Sequence, residues 1–297
     1  MVRARSAWTL LNLQTRSPST LENSQLTKLV KPDCPQLSFV VHCLVLSEDD
    51  TTALNMPALL QRADDLLPGY ERAITGMPRE TEFKGVCASE MFFVYTAIQP
   101  YAPRQILESG RCRGESTLTL ARCFPDTRIV SVEYDSTSIH APIAEAKLQP
   151  YANVDLLYGD SREILPGRLQ TGDVVLLDGP KEFRALKLAA RLLGTGKPWA
   201  VFIHDFSANA PARKFVERHW PRAFFSDDPE FIARFREMDA RLDPTHDPKI
   251  YGTFLCLPPG LPAPYPVLLF RIITARAAAI VREKLTRYSQ FLRPQSS

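Results

Sequence analysis

From residue 105 to residue 257, short apolar runs alternate with stretches of helical period. The runs are QIL at 105–107 after Arg104, TRIVSVE at 127–133, VDLLY at 154–158, DVVLL at 173–177, WAVFI at 199–203 and YGTFLCL at 251–257. Each predicts a strand. Between them, 115–122, 139–148, 183–193 and 212–220 predict helices, with a short one ending at Leu165. Over 183–193, for example, Leu186, Ala189, Ala190 and Leu193 fall on one face. Strands apolar on both sides and separated by helices predict a mostly parallel sheet covered on both faces.

The flanks read differently. Residues 37–46 (LSFVVHCLVL) are a short apolar run that fits a strand or a helix equally, and residues 1–50 are expected to form an extension with no chemistry of their own. Pro57 can open a helix carrying Leu59, Leu60, Ala63, Leu66 and Leu67, which Pro68-Gly69 is expected to stop. A second helix is predicted over 89–98, before Gln99-Pro100. These two make 51–100 a helical lead-in to a main domain at 101–260. Residues 267–291 alternate apolar and basic positions and predict an amphipathic helix within a basic segment, 261–297. Its expected partner is the main domain or a second copy of the chain in a homodimer.

In a sheet of this kind ligands sit beyond the carboxyl ends of the strands. The residues expected there after the first five strands are polar: Glu108, Glu133, Asp160, Asp178 and the pair His204-Asp205. Turn chemistry places an aspartate after one strand readily. It does not account for the whole series. The first strand leads into Glu108-Ser109-Gly110-Arg111-Cys112-Arg113-Gly114, a turn with glycines at its first bend and at its exit into a helix. Gly110 admits a backbone angle that other residues resist, and the helix start offers free N–H groups. The central glycine of a dinucleotide fingerprint is missing, which speaks against a nicotinamide cofactor. Arg111 and Arg113 are expected to face solvent, with substrate contact as the alternative.

Charge and cysteine content narrow the field. The net charge of +3 is uneven: Arg3, Arg5, Arg16, Lys28 and Lys31 stand against Glu22 at one end, and from Arg271 onward only Glu283 offsets the basic residues. Basic ends are usually solvated, and no nucleic-acid partner is expected. The 6 cysteines include no C-x-x-C pair and no cluster with histidine, so neither a disulfide framework nor a structural zinc site is expected. No apolar run spans a membrane. The Arg- and Ser-rich N-terminus fits a transit peptide but lacks the compact apolar core of a secretory signal, and the cytoplasm is the expected compartment.

The acidic-x-Gly turn LESGRCRG, the strand end VSVEYD and the segment LLYGDSREIL resemble, in order and position, the motifs of the class I S-adenosylmethionine-dependent methyltransferases. The likeness covers roughly 91–257. It implies a Rossmann-like, doubly wound α/β fold with seven strands, one of them late and antiparallel, and helices on both faces. It also implies binding roles. Glu108 and Gly110, with Gly114 at the turn's exit, would hold the methionine end of S-adenosylmethionine. Glu133, 23 residues after Gly110, would take the ribose hydroxyls, with Asp135 as a rival. Asp160 and Ser161 would meet the adenine, and Asp160 or Ser161 could equally cap a helix.

The acceptor side stays open between two chemistries. Asp178 sits where the family faces its methyl acceptor, and a small molecule methylated at oxygen is the expected substrate. His204 could act as the base, since histidine ordinarily titrates near 6.5. Alternatively, Asp178 and Asp205 could hold Mg2+. Asp178, Lys181 and Asp205 resemble the metal-dependent O-methyltransferases, but Phe206 stands where those carry Asn, and Asn209 is an uncertain replacement. Lys181 could instead pair with one aspartate. Alternatives of other classes are a metal-dependent hydroxylase-like enzyme, a nicotinamide-dependent enzyme, and a cofactor-binding protein without turnover.

Overall fold

A computed structural model describes residues 54–77, 85–242 and 251–291, with side chains as far as 287. The chain divides into two compact units, Met1–Thr51 and Thr52–Ser297, and every described residue belongs to the second. The strand or helix expected at 37–46 and the loop expected at 243–248 lie outside the described residues.

Seven strands form one sheet: β1 (Gln105–Ser109), β2 (Arg128–Glu133), β3 (Val154–Tyr158), β4 (Val174–Leu177), β5 (Ala200–Ile203), β6 (Phe224–Phe225) and β7 (Leu255–Leu257). Their order is β3-β2-β1-β4-β5-β7-β6. The first five are parallel, and β7 runs antiparallel to β5 and β6. The expected doubly wound α/β fold, with one late antiparallel strand, is therefore present. The order switches between β1 and β4, which is where such sheets bind ligands.

The strands alternate their side chains between two cores. On one face Ile106, Ile129, Leu176 and Phe202 pack with α1 (Met56–Ile74), α2 (Ala88–Ile98), α3 (Glu115–Cys123), α4 (Ala141–Leu148), α8 (Pro229–Phe235) and α9 (Glu237–Leu242). On the other, Leu107, Val130, Val175 and Ile203 pack with α5 (Ser161–Arg168), α6 (Glu182–Leu193), α7 (Pro211–His219) and α10 (Tyr265–Phe291). The last of these joins the main domain through buried Leu268 and Ile272 and packs on α6 and α7. Among the described residues no helix is long and apolar enough to cross a membrane.

One expected boundary is wrong. Helix α1 does not stop at Pro68 but runs through it to Ile74. An interior proline costs about 3 kcal/mol. The extra turn buries Tyr70 and Ile74, and full burial of a large apolar side chain contributes about 1.5–3 kcal/mol each. Tyr70 also donates from its hydroxyl to Ala88 O at 2.6 Å. Together these outweigh the lost helical bond.

The register brings the strand ends level. Glu133 pairs with Tyr158, Ser109 with both Val132 and Leu177, and Leu177 with Ile203. Main-chain bonds then carry the neighbouring loops across the gaps: Gly110 N donates to Val132 O at 2.9 Å, Asp178 N to Ser109 O at 2.7 Å and His204 N to Leu177 O at 2.9 Å. The polar residues that follow separate strands in sequence thus stand along one edge.

Candidate functional site

The glycine turn begins at Gly110, with φ +88°. A Cβ there would meet Gly179 N at 2.4 Å and Asp178 C at 2.7 Å. The loops after β1 and β4 touch backbone to backbone, and only glycine satisfies both the angle and the space. Gly114 caps α3 in the left-handed region at φ +83°, and a Cβ there would stand 3.0 Å from Leu148 Cδ1 of α4. Its place is behind the turn, against a helix, rather than on the ligand side.

Glu108 is not in the turn. Strand β1 runs on to Ser109, so Glu108 is a strand residue and fully buried. Its carboxylate accepts from Ser116 Oγ at 2.5 Å, from Ser131 Oγ at 2.6 Å and from Thr117 Oγ1. Burial pushes this carboxyl above its ordinary range, with the three hydroxyls and nearby Arg111 working against that rise. Arg111, expected in solvent, is 2% exposed. It donates to Ser131 O at 2.8 Å and lies over the Tyr158 ring, 4.8 Å from its centroid. Its Nε and Nη2 are buried without a hydrogen-bond partner, so this charge is compensated only in part. These two residues support the turn from inside, and neither lines the cleft above it.

That cleft has a volume of about 1060 Å3, and Ser109, Gly110, Glu133, Asp160, Ser161 and Gly179 line it. Glu133 is held by the main chain: Oε2 accepts from Cys112 N at 2.7 Å and Oε1 from Tyr134 N at 2.8 Å. Each oxygen keeps a second lone pair, so the group can still accept two hydroxyls. Asp135 instead turns back on its own loop, accepting from Thr137 N at 2.8 Å and Thr137 Oγ1 at 2.6 Å. Asp160 caps α5, accepting from Arg162 N at 2.9 Å, and pairs with the Arg162 guanidinium. That side-chain bond, first among its influences, holds the Asp160 carboxyl below the usual range.

The far wall was not legible in the sequence. Arg276, Ala279 and Ile280 of α10 line the same cleft. The period of α10 signals an amphipathic helix, but nothing local says which end of the sheet it crosses.

Next to the cleft stands a charged cluster at the ends of β4 and β5. Oδ1, Nδ1 and carboxylate atoms of Asp178, His204 and Asp205 lie within 4.8 Å of one another. His204 Nδ1 is 2.9 Å from Asp178 Oδ1 and 3.6 Å from Asp205 Oδ1. Its Nε2 lies 3.4 Å from Glu90 Oε2, a contact of charges without a hydrogen bond. Glu90, on α2, is fully buried, and its own position is fixed by Cys87 N donating to Oε2 at 2.8 Å. Sequence reasoning missed Glu90, whose only local mark is a helix-capping position. Gly252 was missed too: a Cβ there would meet His204 Nε2 at 2.5 Å.

Electrostatics bear on the role expected of His204. Burial alone lowers the pKa of His204, but Asp178 and Glu90 outweigh it and raise the value to about 10. These two carboxylates favour the imidazolium form of the ring, the form that donates rather than accepts a proton. Burial raises the Asp178 carboxyl, yet the bond from His204 and the charges of His204 and Lys181 prevail and hold it below its ordinary range. Glu90 is pushed up by burial, with His204 opposing.

The ammonium of Lys181 bonds Asp178 Oδ1 and lies 2.6 Å from Asp205 Oδ2. This arrangement does not fit Mg2+, which demands near-octahedral oxygen ligands. Both carboxylates already hold the Lys181 ammonium. The next residue, Phe206, has no donor atom in its side chain and is fully buried. Asp205 itself is in the left-handed region at φ +59°, a strained angle for a non-glycine residue.

No protein-family model and no curated protein matches the chain. Among solved structures, a putative O-methyltransferase from Klebsiella pneumoniae is similar over 75% of this chain and 96% of its own, at 19% identity and TM-score 0.40. The O-methyltransferase TomG from Streptomyces achromogenes, in complex with SAM, is similar over 76% of this chain and 96% of its own, at 20% identity and TM-score 0.39. An O-methyltransferase from Bacillus cereus, in complex with SAH, covers 75% and 97%, at 18% identity and TM-score 0.40. At these identities and scores none of them carries a function to this chain.

Proposed function

We propose that this protein is a class I S-adenosylmethionine-dependent methyltransferase acting on an oxygen of a small-molecule acceptor. The observation that carries the reading is one continuous cleft. Gly110, Glu133, Asp160 and Ser161 line one part of it, and Gly179 and Lys181, beside Asp178, line another. A ligand carrying a ribose meets a carboxylate with spare lone pairs, and an amino-acid end meets a turn stripped of side chains. Residues for a pyrophosphate are missing: the turn has no central glycine.

When bound, the cofactor supplies an electrophilic methyl group on sulfur. The chain's task is then to hold the acceptor oxygen in line, and positioning supplies much of the rate. His204 and Lys181 put two positive charges next to the Asp178 end of the cleft. The Lys181 ammonium, with one N–H left after its two aspartate bonds, can donate to an acceptor oxygen. An acceptor with an acidic hydroxyl, a phenol or a carboxylic acid, ionising in place, fits beside that donor.

Calorimetric titration with S-adenosylhomocysteine, with NADH in parallel, tests the reading. Micromolar binding of the first and none of the second is expected. A folded sample that binds neither would mean that the glycine turn is scaffold.

A further inference from the structure

We infer that the ammonium of Lys181 is the resident cation of the acidic cluster, standing where Asp178 and Asp205 would otherwise share a divalent ion, so that the protein works without one. The inference goes beyond the proposed methyl transfer and holds or fails without it.

Three observations lead there. First, Lys181 reaches both carboxylates at once, through Asp178 Oδ1 and Asp205 Oδ2. Those are the two groups on adjacent strand ends that an ion would bridge. An ion can enter only if the ammonium leaves both.

Second, these carboxylates already face basic groups. Asp178, Asp205 and buried Glu90 face Lys181 and His204. A divalent ion added beside the Lys181 ammonium meets repulsion of several kcal/mol at contact distances near a protein surface.

Third, the coordination shell is short of oxygen. Phe206 follows Asp205, and its side chain is fully buried in the apolar core with no donor to give. The Phe206 N–H is committed to Thr253 O at 2.8 Å, which pins the chain in this direction.

The lysine also behaves differently from an ion. An ammonium has three donors. Two are taken by the aspartates, and one is left for a single acceptor atom. On the methyltransferase reading, the substrate oxygen is held by one N–H bond, with no chelation of two adjacent oxygens.

The test reads ion binding directly, with neither cofactor nor acceptor present. Mn2+ is titrated into the full chain and followed by electron paramagnetic resonance of the free ion. The wild type should bind no stoichiometric Mn2+. Lys181→Ala should bind one ion per chain, at least tenfold more tightly than wild type. Lys181→Arg, which keeps the charge, should exclude the ion as wild type does. Adding Asp205→Asn to Lys181→Ala should abolish the gained site. One tight Mn2+ in the wild type, competed by Mg2+, would overturn the inference, and so would a folded Lys181→Ala protein that gains no site. S-adenosylhomocysteine titration of the same samples keeps this result separate from the cofactor assignment.

Discussion

His204 Nδ1 lies 2.9 Å from Asp178 Oδ1. The bond favours the charged form of both groups. Burial opposes this, but two carboxylates on opposite sides of the ring prevail.

The pair makes stability depend on pH with a definite sign. Folding raises the His204 pKa from 6.5 to about 10. The folded state therefore binds this proton more tightly than the unfolded chain does. The stabilisation is complete below the unfolded value and is lost as pH rises through the folded one. Urea midpoints of wild type and His204→Gln across this window should converge as pH rises. A wild-type advantage that stays constant with pH would mean that the ring is neutral in the folded protein.

Gly110→Ala should damage the fold as well as the site. The added Cβ meets backbone atoms of Gly179 and Asp178, not a side chain that can swing away. The left-handed angle alone costs about 1–2 kcal/mol for other residues, and the clash adds to it. Denaturant titration should show a loss of at least about 2 kcal/mol, beside weaker S-adenosylhomocysteine binding. A variant of normal stability would mean that the two loops part easily.

The strand ends were legible because a parallel sheet buried on both faces writes each strand as an apolar run, and its ligands stand just after the run. That logic finds Glu133, Asp160, Asp178 and His204. It fails where the determining contact is remote. Glu108 and Arg111 read as turn residues, but Ser116, Ser131 and Tyr158 draw them inside. Glu90 reaches His204 from a helix on a distant part of the chain. Strand β6, Phe224–Phe225, is too short to show a period. Pro68 reads as a stop because local chemistry cannot include the burial of Tyr70 and Ile74.

Glu133 has two tasks, and a pair of variants separates them. It fixes Cys112 N of the glycine turn and is proposed to accept the ribose hydroxyls. Bonds to a charged group contribute about 1.5–3 kcal/mol. Glu133→Ala should therefore weaken S-adenosylhomocysteine binding by roughly 10- to 100-fold. Glu133→Gln keeps one acceptor oxygen and should lose less. Equal affinity for wild type and the alanine variant would remove Glu133 from the pocket.

Helix α10 makes the last prediction, because its two halves do different work. Leu268 and Ile272 are buried against the main domain, whereas Ile280 is 42% exposed and lines the cleft. Ending the chain after Ala275 removes the wall and keeps the anchor. The truncated protein should unfold at nearly the wild-type denaturant concentration, since little apolar area leaves the core. Its S-adenosylhomocysteine affinity should fall several-fold, because one side of the cleft opens to water. Ile280→Glu in the full chain should weaken binding in the same direction, by placing a carboxylate on an apolar wall. If both variants bind as wild type does, the cleft that matters ends short of α10, at the strand ends and the starts of α5 and α6.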